Sequence, residues 1–150
     1  MGKRREGREA ALQFLYQLDL TDEPAEDLFT RFWTLRSGPG KPEASAKTRA
    51  FTEQLVAGVL AHKAEIDERI KASAANYDLH RIAAVDRNIL RIGIYEMLHA
   101  PDVPPVVSIN EAIEVAKKFA SEESSRFING ILDRVRGELN RPSRAPAPQS

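Results

Sequence analysis

Apolar residues in this chain recur at steps of three and four. A helix turns every 3.6 residues, so this spacing lays one apolar stripe along one face; a half-buried strand needs a period of two. No run of Val, Ile and Thr alternates, and no Asn-Gly turn joins two alternating runs. The chain therefore reads as all-α, with about six to seven helices.

Leu12, Leu15 and Leu18 mark a first helix over about 4–20, closed by Thr21, Asp22 and Pro24. Leu28, Phe32 and Leu35 mark a second over about 25–36. The stretch 37–45 holds two prolines and two glycines and reads as a loop. Phe51, Leu55, Val59, Ile66 and Ile70 predict one long helix over 46–73. Residues 79–99 carry Leu79, Ile82, Val85, Ile89, Ile92 and Leu98 on one stripe, with Leu90, Ile94, Tyr95 and Met97 on other faces. A helix apolar nearly all round is buried, so this is the expected central helix, with Gly93 permitting a close crossing. Residues 100–105 stop it, and Ser108 with Glu111 reads as a capping box opening the next helix. Phe127, Ile131, Val135 and Leu139 mark a last helix over about 122–139. One compact domain over 1–139 follows, with a disordered Pro-rich tail over 140–150.

A chain of 150 residues buries roughly 70% of its extended surface, enough for a core without staples. It has no cysteine, which excludes disulfides, thiolate zinc sites and a cysteine nucleophile. No apolar run approaches the ~20 residues of a membrane span, and the charged start lacks a signal-peptide core, so no membrane contact and a cytoplasmic location are expected. His62, His80 and His99 are scattered, with no ligand pair on one helical face, so no metal site is expected. Gly38-Pro39-Gly40-Lys41 fails the phosphate-loop spacing, and Asp22, Glu23, Glu26 and Asp27 suit the positive end of a helix. No catalytic or cofactor motif emerges, so an enzyme is not expected.

Charge narrows the mode of binding. Lys and Arg number 22 and Asp and Glu 22, which excludes a protein coated in positive charge but not one with a local basic edge. Arg4, Arg5 and Arg8 gather at the start, and Arg8, Leu12 and Tyr16 follow at i, i+4 steps. A guanidinium beside an exposed ring suits single-stranded RNA, the charge meeting phosphate and the ring stacking on a base. An ordinary solvated N-terminus with Tyr16 half-buried fits the same residues. In the central helix, Arg87, Arg91 and Tyr95 share a face; the arginines either pair internally with Glu96, Glu111 or Glu114, or reach phosphate at a groove edge.

Four segments carry a further signal: Arg8 with Leu12-Gln13-Phe14-Leu15-Tyr16; the run Asp86 to Glu96; Asp102-Val103-Pro104-Pro105 leading into Ser108 to Lys117; and Phe127 to Asp133. In this order the chain, from about residue 4 to 138, resembles the transcription antitermination factor NusB family. The resemblance implies two packed three-helix bundles and no catalysis. It implies binding to the boxA sequence of ribosomal-RNA leaders together with the ribosomal protein NusE, in a complex that joins RNA polymerase. Carried over, Arg4, Arg5 and Arg8 match the family's RNA-binding start. Tyr16, Arg87, Arg91 and Phe127 match its RNA- and NusE-facing surface, and Asp86 and Glu123 match acidic positions at its edge. Glu6 and Gly7 interrupt the family's denser arginine run, which predicts weak RNA binding without NusE; Arg8→Ala is expected to remove one phosphate contact. Two other roles remain open: an accessory domain of an RNA-modifying enzyme, for which 150 residues leave no catalytic domain, and a helical interaction module without RNA. Monomer or homodimer is not decided by the sequence.

Overall fold

The computed structural model describes residues 2–40, 43–74 and 78–144. Seven α-helices and one short 3₁₀ turn account for the regular structure among them, with no strand. Helix α1 (Gly2–Asp19) is followed by α2 (Ala25–Ser37), α3 (Ala46–Ala61) and α4 (Lys63–Ser73). The 3₁₀ turn Leu79–Arg81 leads into α5 (Ala84–His99), α6 (Pro105–Phe119) and α7 (Glu122–Arg144).

Helices α1, α2 and α3 form one bundle; α5, α6 and α7 form a second, with α4 laid across α5 and α7. The bundles meet through α1 and α3 against α5, which makes α5 the shared element its all-round apolarity predicted. In the first bundle Phe14 stacks on Phe29 at 4.1 Å between ring centres and meets Phe32 edge-on at 5.2 Å. Phe14 and Phe32 are fully buried, worth about 1.5–3 kcal/mol each by area removed from water. Trp33 is also buried and donates its indole N–H to Glu53 on α3 at 3.2 Å.

Two glycines let helices approach closely. At Gly93 an added Cβ would lie 3.2 Å from Leu132 of α7, so the crossing expected there is present. Gly7, by contrast, is more than a weak point of α1. An added Cβ there would crowd the Phe51 ring of α3, and the Gly7 carbonyl accepts the Thr52 hydroxyl at 3.2 Å.

Several boundaries differ from the sequence expectation. The long helix over 46–73 is two helices, broken at His62, whose backbone (φ −114°, ψ 21°) leaves the helical region. The apolar stripe runs on through Val59, Ile66 and Ile70, so periodicity carries no mark of a one-residue break. The central helix starts at Ala84, because 79–81 forms a separate turn capped by the Asp78 carboxylate on the His80 N–H. The capping box is not formed: α6 starts at Pro105, a favoured first position, and Ser108 lies buried one turn inside. Glu111 instead faces Arg5. Helix α7 continues to Arg144, past Pro142. Of the expected tail, 145–150 lie outside the described residues.

Candidate nucleic-acid interface

Helices α1 and α5 run antiparallel, so the start of α1 meets the end of α5 and the end of α1 meets its start. This splits the predicted residues between two ends of α5, roughly 14 Å apart at 1.5 Å per residue from Arg87 to Glu96.

At the first end, the three arginines have three different situations. Arg8 is 5% exposed, and its Nε and Nη2 donate to the Glu96 carboxylate at 3.0 and 2.9 Å. Its Nη1 lies 3.6 Å from Glu111. Arg5 makes a second fork onto Glu111, at 3.0 and 2.8 Å, and this hydrogen bond holds the Glu111 carboxyl below its ordinary range. Arg4 is exposed and lies over the Phe51 ring at 5.0 Å. Arg5 and Arg8 are therefore neutralised in place by Glu96 and Glu111, not by the distant acidic residues near 22–27. Arg4 keeps its charge facing solvent, beside grooves lined by Lys47, Phe51 and Gln54 on one side and Asp102, Val103 and Pro104 on the other.

At the second end, Asp19 of α1 joins Tyr16's helix to α5. It accepts from Asn88 at 2.9 Å and Arg87 at 3.4 Å. Arg87 also donates to the carbonyls of Ile82 and Leu79 at 3.0 and 3.4 Å, closing the 3₁₀ turn. Arg91 is buried and forks onto Asp67 of α4 at 2.9 and 3.1 Å, with a third donation to Asn88. The internal pairing weighed from the sequence is thus what the fold uses, but with Asp67 and Asp19 in place of Glu96, Glu111 and Glu114. Tyr95 does not extend an arginine face; it packs on Gly58, where an added Cβ would overlap its ring.

Tyr16 is 37% exposed, two turns on from Glu9 along the same stripe of α1. Glu9 holds Lys118 of α6 at 3.0 Å, and Lys118 lies over Phe119 at 5.5 Å. Lys118 was not singled out from the sequence; its place beside α1 is a tertiary fact, although the adjacent lysines at the end of α6 suit the helix dipole.

Asp86, Glu123 and Phe127 do come together. With Arg81, Ile82, Ala83 and Ser124 they line one groove between the starts of α5 and α7. Asp86 accepts the Ser124 hydroxyl at 3.0 Å, yet burial pushes its carboxyl above the ordinary range. Glu123 is exposed and Phe127 half-buried. The groove combines carboxylates and the exposed Arg81 with an apolar ring, while the exposed Arg4 and the exposed Tyr16 ring lie along α1.

Among the described residues no helix is long and apolar enough to cross a membrane. The NusB family profile matches residues 5–136. The transcription antitermination protein NusB of Myxococcus xanthus is 45% identical over 142 residues, spanning 95% of this chain and 100% of that protein. Its counterpart in Geobacter sulfurreducens is 48% identical over 139 residues, 93% of this chain and 97% of that protein. Among solved structures, T. maritima NusB superposes with a TM-score of 0.78 at 33% identity, over 90% of this chain and 91% of that one. A chain in the crystal structure of antitermination factors NusB and NusE in complex with dsRNA gives a TM-score of 0.78 at 26% identity, over 92% and 98%. Matched from Arg5 to Arg136 and along nearly the full length of such relatives, this chain belongs to the NusB family.

Proposed function

We propose that this chain is a transcription antitermination factor that binds a boxA-type ribosomal-RNA leader together with NusE and joins the RNA polymerase antitermination complex, promoting rRNA transcription in the cytoplasm. The observation that carries it is the likeness, over nearly the whole chain, to a protein crystallised with NusE and RNA. Of the residues carried over, Arg4 and Tyr16 are the ones whose exposure suits direct RNA contact. Arg8, Arg87 and Arg91 support that surface from behind: their guanidinium groups hold α5 against α1 and α4. Arg5 stands between, exposed in part but forked onto Glu111. Lys118 adds a cation beside the same stripe of α1.

The Asp86–Glu123–Phe127 groove is the proposed NusE-facing side, where the exposed Glu123 carboxylate suits a basic ribosomal protein and Phe127 supplies apolar contact. With so few free cations, RNA affinity rests on few phosphates, on ring stacking and on NusE completing the site. An exposed arginine and an exposed ring on one helix favour the single-stranded form, although the related complex holds dsRNA.

The test is fluorescence anisotropy with labelled boxA-type RNA, single-stranded and as a duplex, with and without NusE, across salt. Binding of the single strand that strengthens strongly with NusE is expected. No binding at low salt with NusE present would refute the proposal.

A further inference from the structure

His62 and Glu65 are three residues apart, and the fold brings His99, 34 residues beyond Glu65, onto them as one cluster. His62 occupies the break between α3 and α4, Glu65 follows one turn into α4, and His99 is the last residue of α5. His99 Nε2 lies 3.0 Å from Glu65 Oε1, and His62 Nδ1 lies 3.6 Å from the same oxygen. One ligand atom from each residue can be chosen so that all three lie within 4.8 Å of one another. A tetrahedral Zn²⁺ with bonds near 2.0–2.1 Å holds its ligand atoms about 3.3 Å apart, so the cluster is already near that spacing.

From this geometry we infer that His62, Glu65 and His99 form a binding site for a divalent transition-metal ion, Zn²⁺ in the first instance, with water in the remaining position. Two imidazoles and one carboxylate are borderline donors that favour Zn²⁺ and its neighbours over Mg²⁺ or Ca²⁺, which take oxygen ligands. The two rings are stacked at 3.8 Å with an angle of 20°, so at least one must rotate out of the stack to aim its in-plane lone pair at a shared centre. Side-chain exposures of 41% and 29% leave them room to turn. Tyr95 backs the pair, 5.6 Å from His99 and 6.1 Å from His62, and is itself seated on Gly58. The electrostatics favour a cation: the C-terminal ends of α3 and α5 converge here against the N-terminal end of α4. Of the cations on α4, Arg69 is engaged with Glu138 at 3.3 Å and Lys71 with Glu68 at 3.4 Å, which leaves Lys63, beside His62, as the opposing charge. A bound ion would tie the α3–α4 break to the end of α5 and so brace the junction of the two bundles.

The test is calorimetric titration of Zn²⁺ into the full chain without an affinity tag, with Co²⁺ titrated in parallel and followed by its visible ligand-field absorption. One ion per chain is expected. His62→Gln and His99→Gln should each weaken binding by at least about tenfold, the lower end of what even supporting residues of metal sites contribute. His80→Gln, distant on the 3₁₀ turn, should leave it unchanged. Glu65→Gln keeps hydrogen bonding to the histidines but loses the charge, so it should weaken binding in a chain whose helical circular dichroism is intact. Absence of saturable Zn²⁺ binding, or binding that survives the His62→Gln/His99→Gln double substitution, overturns the site. Equal weakening by His80→Gln would overturn it too.

Discussion

Arg8 offers the sharpest test, because sequence and structure assign it opposite consequences. Taken as an RNA contact, its loss would flatten the salt dependence of binding and leave folding alone. In the fold its guanidinium is 5% exposed and forks onto Glu96, itself 1% exposed, at 3.0 and 2.9 Å. Arg8→Ala leaves the Glu96 carboxylate buried without that partner, which costs about 3–5 kcal/mol. Total stability for a domain is about 5–15 kcal/mol, so this is a large share. For a chain of this size it lowers Tm by roughly 10 °C. Urea denaturation gives the free energy directly, and the double change Arg8→Met/Glu96→Leu separates pair from packing. Removing both charges together should restore most of the loss, since a buried ion pair roughly breaks even against apolar residues of similar volume. RNA titrations below the variant's melting range should show Arg8→Ala with an unchanged salt slope, whereas Arg4→Ala flattens it by about 0.7, one phosphate on a single strand. A loss under about 1 kcal/mol for Arg8→Ala, or a flattened slope in a fully stable variant, would refute this assignment.

The remaining predictions concern other contacts of the same framework. Glu111, held low by Arg5, stabilises the fold above its ordinary value of 4.5, and that contribution disappears as pH falls through the lowered folded value. Because Arg5 is 36% exposed the gain is about 1 kcal/mol or less, and Glu111→Gln should remove it from the acid limb of a stability–pH profile. Asp86 has the opposite sign: its folded value is raised by burial, so the folded state gains relative stability as pH falls through that value toward 3.8. Asp86→Asn should therefore be neutral to slightly stabilising at pH 7 in thermal melts, yet weaken NusE binding in a pull-down titration. Gly58→Ala should destabilise by about 1–3 kcal/mol despite its better helix propensity, because the new methyl group overlaps the Tyr95 ring; near-ultraviolet circular dichroism should register the displaced tyrosine.

What the sequence determined by itself is the part governed by local period and punctuation. The stripes of Leu12–Leu18 and Ile89–Ile92 specify helices whatever they pack against, and Thr21-Asp22 with Pro24 and the Pro-rich stretch 100–105 end them. The all-round apolarity of α5 also revealed which helix lies at the centre, since nothing else can cover it. Family membership was legible too, because its four motifs are strings of neighbours.

What only the tertiary structure decided is which charges meet, since an ion pair has no period. Arg8 and Glu96 are 88 residues apart, Arg5 and Glu111 are 106 apart, and Arg91 finds Asp67 across a helix break that the apolar stripe conceals. The capping box failed for a related reason: Ser108 and Glu111 have the right spacing, but Pro105 opens the helix earlier and Arg5 claims the glutamate. The same limit applied to the histidines. Read along the chain they are scattered, yet antiparallel packing and the turn at His62 stack two of them 3.8 Å apart on one glutamate. Spacing along a chain determines which face a residue occupies; only the packing of faces determines which residue it meets.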